Sequence, residues 1–180
     1  MKPLLLLLSL MCCCSNPIAT KIQNKLSQNE KDVYLTITGF DSTSFLVLLD
    51  KPIFRQVDSL LLDSAIGKNI VSDYTNTNLN FTSWENYDFD LGIKYTIITS
   101  STLNSIFSSD TNGWMAFDSK YPTANGYWKL SKIGFNIDST KAIVYFTHQY
   151  ANLGGTSCLL SLTKLNNMWS TYKVYYRVES

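Results

Sequence analysis

The densest run of groups able to do chemistry is Trp84-Glu85-Asn86-Tyr87-Asp88-Phe89-Asp90, where three carboxylates fall within six residues among aromatic rings. Carboxylates chelate cations and move protons, and aromatic faces stack on sugar rings. Trp84, Glu85, Asp88 and Asp90 are therefore a candidate ligand-binding loop. The competing expectation is a solvated loop whose rings turn into the core. Acid–base work on a glycan would need two of Glu85, Asp88, Asp90 and Asp118 to face each other across a cleft, about 5–10 Å apart.

Other candidate groups are isolated. His148 is the single histidine, and no H-x-x-x-H or C-x-x-C spacing accompanies it. A zinc site then has no ligand set to be built from, and no metal or cofactor is expected. His148 reads as a structural side chain, to be tested by whether a Ser, Asp or Glu reaches its imidazole in a concave site. Ser161 and Lys164 match S-x-x-K, but that nucleophile motif needs a helix. On the strand expected here, residues three apart point to opposite faces. Asp110, Asn112 and Gly113 fall at positions three, five and six of a calcium-type loop. Position twelve is Ser119 where a bidentate Glu is needed, so a helix-capping turn is the better reading. Nucleophile-elbow, P-loop and dinucleotide-binding signatures are absent. Asn80-Phe81-Thr82 is a glycosylation sequon, meaningful only in a eukaryotic secretory host.

The cysteines speak of destination. Lys2 precedes an almost unbroken apolar run, Leu4 to Met11, followed by Cys12-Cys13-Cys14 and then Ser15-Asn16. A charged start, a short apolar stretch and a processing site make an export signal. The run is far shorter than the ~20 residues that span a bilayer as a helix. Small residues preferred by secretory signal peptidase are missing before the cluster, although Ser15 could serve a freely secreted product. A lipoprotein signal ends in a cysteine that becomes the lipidated N-terminus, and Cys13, with Leu10 three residues before it, fits best. Cys12 and Cys14 remain alternatives. Acyl chains on such a cysteine, at ~0.8 kcal/mol per buried CH2, give firm anchoring. The expected location is the cell envelope, facing the periplasm.

The 180 residues carry 15 basic and 14 acidic side chains, 11 Tyr and 9 Phe. That composition suits one folded domain and argues against disorder. Basic residues are not clustered, so no nucleic-acid partner is expected. Cys158, the only cysteine beyond the signal, reads as a buried small apolar residue.

The expected organisation is a signal over 1–14, a tether over 15–28 and one α+β domain over 29–180. Helices are predicted over 29–38 (capped by Asn29), 58–65 (closed by Gly67), 69–78, 101–107 (capped by Ser100 or Ser101) and 113–121. Strands are predicted over 44–49 and 93–99, with 80–90 as loop between. The last third reads as four strands, 127–135, 141–150, 156–165 and 169–178, separated by short turns: an antiparallel meander. The fold class is thus α+β, with N-terminal helices packed on an antiparallel sheet formed mainly by the C-terminal third. Ile133, Phe135, Ile143, Tyr145, Leu160 and Leu162 are expected to face inward.

Trp114-Met-Ala-Phe117, Lys120-Tyr-Pro122 and Ser131-Lys-Ile-Gly-Phe-Asn136-Ile-Asp-Ser-Thr140-Lys-Ala-Ile-Val-Tyr145, followed by Gly154-Gly155 and Lys164 to Trp169, carry a resemblance over roughly 93–170. The segment resembles small exported or lipid-anchored proteins of Bacteroidota-type bacteria. This chain lacks the cysteines that many of them carry around the Gly-rich hairpin. The resemblance implies export and a shared fold, and no catalytic residue. Within it, Gly134 and Asn136 have the types needed where a strand meets a tight turn. The functional expectation is a lipid-anchored protein, attached to a membrane through its N-terminal lipid. It acts by binding a protein or glycan partner rather than by catalysis. The alternative is a cell-envelope hydrolase working on glycan or cell-wall material through carboxylates.

Overall fold

The computed structural model describes residues 24–39, 45–57, 67–108, 112–151 and 154–179. Across them the chain runs β1 (Asn24–Lys25), α1 (Gln28–Thr38), β2 (Phe45–Leu49), α2 (Lys68–Leu79), β3 (Tyr87–Asp88), β4 (Lys94–Ile98), α3 (Ser100–Phe107), α4 (Gly113–Lys120), β5 (Ala124–Leu130), β6 (Gly134–Phe135), β7 (Lys141–Gln149), β8 (Gly155–Leu165) and β9 (Met168–Glu179). The class is α+β. The central sheet has order β4-β2-β5-β7-β8-β9, with β6 also pairing on β7.

The C-terminal strands pair antiparallel, β5 and β6 with β7, β7 with β8, and β8 with β9. The sheet as a whole is mixed, because β2 lies parallel to both β4 and β5. The reason lies in the connection: α3 and α4 carry the chain from the end of β4 back to the start of β5. A helical return of this kind makes the flanking strands parallel. Strand direction is a property of such returns and leaves no mark in the composition of 44–49 or 93–99.

Local chemistry explains the helix starts. Ser27 caps α1 in a capping box: its hydroxyl accepts from the Glu30 amide, and the Glu30 carboxylate accepts from the Ser27 amide at 2.8 Å. Ser27, not Asn29, is therefore the cap, and Gly39 closes α1 in a left-handed conformation. Thr99, rather than Ser100 or Ser101, caps α3 by accepting from the Thr102 amide. Gly67 leads into α2; the helix expected over 58–65 lies outside the described residues. The tether expected over 15–28 also ends sooner. Asn24 and Lys25 pair with Tyr87 and Asp88, and Leu26 is buried. A two-residue strand and one apolar anchor are too short to register as periodicity.

Both faces of the sheet are covered. On one face Val33 and Tyr34 of α1 pack with Leu46 and Leu48 of β2, Trp128 and Leu130 of β5, Ala142, Val144 and Phe146 of β7, and Leu160 and Leu162 of β8. The residues between them point the other way. Val47 and Leu49 meet Leu103 and Ile106 of α3 and Phe117 of α4, while Ile143, Tyr145 and Leu159 meet Ile70, Val71 and Tyr74 of α2. Five of the six residues expected to face inward are buried. They are divided between the two faces: Ile143 and Tyr145 lie under α2, Leu160 and Leu162 under α1. Phe135 is half-buried against Trp169, ring centroids 5.9 Å apart.

The outer strand β9 is mostly exposed, and its register against β8 shifts between Leu159 and Leu160 and again between Ser161 and Leu162. Each shift adds one residue on β9 relative to β8. Bulges on an edge strand raise its twist and discourage pairing with another chain.

Between β5 and β6 the ladder on β7 stops for Ser131, Lys132 and Ile133, all buried. Gly134 follows because α2 lies against it: a Cβ there would stand 2.6 Å from the Tyr74 Cα and amide nitrogen.

Three substitutions check this layering. Ile143→Ala should cost about 2–5 kcal/mol in denaturant unfolding, as expected for a fully buried Ile. Phe135→Ala should cost less than the ~3–5 kcal/mol of a fully buried Phe. Gly134→Ala should destabilise by about 1–3 kcal/mol or more by forcing α2 outward. A neutral Gly134→Ala would show that α2 does not press on this strand.

Candidate functional site

The acidic-aromatic loop is built into the core. Trp84 is fully buried, its indole Nε1 donating to the Leu130 carbonyl at 3.1 Å and its amide to the Asp50 carbonyl at 2.8 Å. Phe89 is equally buried, and both rings pack on Tyr34 of α1, with centroids 6.0 and 5.8 Å away. Phe81 and Tyr87 complete the cluster, at 4.4 and 5.1 Å from Trp84. The rings thus follow the inward-turned alternative.

Lys132, buried in the strand break, aims its ammonium at these rings. Its Nζ lies 4.7 Å from the Tyr87 ring centre, 5.2 Å from Trp84 and 5.6 Å from Phe81, and donates to Glu30 Oε1 at 2.7 Å. An ammonium against aromatic faces gains from the ring quadrupole, more so when desolvated. Burial pushes the Glu30 carboxyl up, but hydrogen bonds and charge from Lys132, joined by the Ser27 bonds, outweigh it and hold Glu30 below its ordinary value. The first turn of α1 is thereby locked to the loop and to the sheet.

The loop carboxylates do not converge on a cleft. Asp90 accepts from Lys31 Nζ of α1 at 2.6 Å, and that bond holds its carboxyl below the usual range. Asp88 accepts from the Tyr95 hydroxyl at 3.1 Å. Glu85 is solvent-exposed. Asp118 is exposed on α4, which packs on the opposite face of the sheet from Trp84 and Phe89. Asp118 and the loop therefore cannot flank one site.

The remaining candidates also take structural places. Ser161 is buried while Lys164 donates to Asn29 of α1 at 2.8 Å, the two on opposite faces of β8. Asn112 caps α4 by accepting from the Trp114 amide at 3.2 Å; Asp110 lies outside the described residues. Cys158 is buried in the α1-side core, and burial pushes its thiol up, against the opposing charge of Arg177. Such a thiol is a poor nucleophile. Cys12, Cys13 and Cys14 lie outside the described residues. Among the described residues, no three His, Cys, Asp or Glu side chains gather to hold a metal ion.

The concave site that sequence reading missed surrounds His148. Thr38 and Gly39 at the end of α1, Phe45 at the start of β2, Thr123, Asn125 and Trp128 near the start of β5, and His148 near the end of β7 line a cavity of about 270 Å³. Register makes it: Trp128 sits directly opposite His148 across β5 and β7, and their rings stack 4.0 Å apart at 9°. Gly126 has a left-handed φ of 78°, and a Cβ there would stand 2.8 Å from the Gln149 carbonyl carbon, so only glycine fits. That turn brings the Asn125 carbonyl within 2.5 Å of His148 Nε2. The histidine's partner is thus a backbone carbonyl, not a nucleophile or carboxylate. Burial pushes the imidazole down, partly opposed by that carbonyl, so His148 is neutral at pH 7 with Nε2 as the donor. Among the described residues, the lining contains no Asp, Glu, Lys or Arg. A second, more open cavity of about 480 Å³ lies between α2 and the turn after β6, lined by Asn69, Ser72, Asp73, Asn76, Phe135, Asn136 and Ile137.

Acidification should act in two steps. His148 has a folded pKa below its unfolded value of 6.5, and Glu30 one below 4.5. Each contributes stability that is complete above its unfolded value and is lost as pH falls through its folded value. Unfolding free energy should decline below about pH 6.5 and more steeply below about 4.5. His148→Gln should remove the upper decline, and Glu30→Gln should lessen the lower, to which the lowered carboxyls of Asp90 and Asp138 also contribute. Lys132→Met alone leaves half-buried Glu30 with only its Ser27 bonds and should destabilise the protein at pH 7, by up to about 3 kcal/mol, whereas the double change with Glu30→Gln should cost less. No protein-family model matches the chain, and neither a curated protein nor a solved structure matches it.

Proposed function

We propose that this chain is an exported protein held to a membrane by a lipid on Cys13, whose folded domain works through binding contacts rather than catalysis. The export signal and the cysteine cluster support the address. The single observation that supports a non-catalytic role is the fate of the loop richest in reactive groups. Its rings fill the core, Asp90 is paired to α1 and Asp88 accepts from Tyr95. A hydrolase would instead hold two carboxylates free of such bonds on facing walls of one cleft.

Two measurements test this. Mass spectrometry of membrane-extracted protein should find acyl mass on an N-terminal Cys13, and a soluble product starting after Ser15 would overturn the anchored reading. Glu85→Gln, Asp88→Asn and Asp118→Asn, combined in one chain, should leave the protein folded and the deletion phenotype complemented. Loss of complementation by a folded, exported variant would restore the hydrolase.

A further inference from the structure

We propose that the end of the sheet formed by the β6–β7 and β8–β9 turns docks on the surface of a phospholipid bilayer, with Ile137, Leu165 and Met168 entering its interface. This rests on the anchored reading above and adds the face that the domain turns to the membrane.

The most exposed apolar groups are not scattered. Ile137, Leu165 and Met168 are 90%, 70% and 70% exposed, more than any other large apolar side chain among the described residues. Single exposed apolar residues are ordinary on a protein surface, whereas a group of them in one place marks an interaction site. These three share one place because the turns that carry them are joined. The Lys164 amide donates to the Thr140 carbonyl at 2.7 Å, and the Phe135 ring packs on Trp169, next to Met168. Leu165 and Met168 are the last pair of the β8–β9 ladder. Asn166 and Asn167 between them have left-handed φ values of 51° and 62°, as a two-residue hairpin turn requires. The backbone thus fixes the tip, so little ordering cost falls on docking. Asp138, the carboxylate beside Ile137, is engaged within its own turn, where it accepts from Asn136 and from the Thr140 hydroxyl and amide.

The point where the anchored chain enters the fold names the occupant. Lys164, the residue before Leu165, donates to Asn29 in the first turn of α1 at 2.8 Å. The described chain begins at Asn24, five residues before Asn29. Ten residues, 14–23, separate Asn24 from Cys13. At ~3.6 Å per residue fully extended, they hold Asn24 within about 40 Å of the lipid-bearing cysteine. The hairpin tip is therefore on the end of the domain that the anchored chain reaches, and the bilayer is within its range. Tethering also makes docking intramolecular, so a few apolar side chains suffice where a free protein would need a larger surface.

The test uses the full acylated chain reconstituted into phosphatidylcholine vesicles, with Cys12→Ser and Cys14→Ser so that buried Cys158 is the only other thiol. A thiol-reactive fluorophore is placed at position 168 by Met168→Cys and, as the control, at position 115 by Met115→Cys. Met115 is 66% exposed on α4, which packs on β2, away from β8 and β9. Two quenchers are compared, iodide in the water and bromine on the lipid acyl chains. The label at 168 should be quenched by bromine ~5–10 Å below the headgroup boundary, the depth of interfacial apolar groups, and protected from iodide. The label at 115 should respond to iodide alone. Ile137→Ser combined with Leu165→Ser should return the label at 168 to iodide quenching, with the thermal midpoint unchanged. Continued bromine quenching in that variant shows that the label inserts by itself, and overturns the docking face. Quenching at 168 by iodide alone also overturns it. Quenching by neither means that another part of the chain, or a second copy, covers the tip, and overturns it equally. In these cases sedimentation of the chain with the vesicles leaves the lipid anchor standing. A chain that does not sediment with them overturns the anchor, and the docking face with it.

Discussion

A strand that stops pairing inside a buried layer leaves peptide groups that must find partners elsewhere. The chain does this after Leu130, and five parts of it answer the groups from Leu130 to Lys132. The Leu130 carbonyl accepts from the Trp84 indole and from the Ile53 amide. The Ser131 carbonyl accepts from the Tyr34 hydroxyl of α1 at 2.8 Å. Asn78 of α2 closes a reciprocal pair with Lys132, donating to its carbonyl at 3.0 Å and accepting from its amide at 2.8 Å. The Ser131 hydroxyl accepts from the Tyr145 amide at 2.9 Å, tying the break to β7. Helices on opposite faces of the sheet are therefore referenced to the same three residues.

The segment Ser131 to Thr140 draws its residue types from this demand. Ser131 supplies an acceptor, Lys132 the buried cation, Ile133 a core side chain and Gly134 the clearance for Tyr74. Asn136 then bonds Asp138, Thr140 and the Lys141 amide, and those bonds shape the turn into β7. In this segment the side chains of Ser131, Lys132, Asn136, Asp138 and Thr140 each have a structural partner. Its distinctiveness as a sequence is explained by folding, without recourse to catalysis.

The same economy governs the acidic-aromatic loop. A buried lysine needs a counter-charge and benefits from ring faces, and Glu30, Trp84, Tyr87 and Phe81 provide them. Breaking such a pair by removing one member costs more than never having had it. The loop is therefore committed to holding α1.

The sequence by itself determined the α+β class, three of the four C-terminal strands to within a few residues, most helix positions and the burial of Cys158, because periodicity and turn residues are local signals; the strand expected over 127–135 is instead broken at Ser131 to Ile133 into β5 and β6. It also foresaw that the rings of 84–90 could turn inward. Tertiary structure alone decided the rest. The parallel placement of β2 depends on how α3 and α4 return the chain, and the split of β7 and β8 residues between two cores depends on helices covering both faces. The cavity joins Thr38, Phe45, Thr123, Asn125, Trp128 and His148, drawn from one helix end and three strands. Strand register sets which side chains meet, and register is fixed by pairings between distant residues that no local pattern encodes.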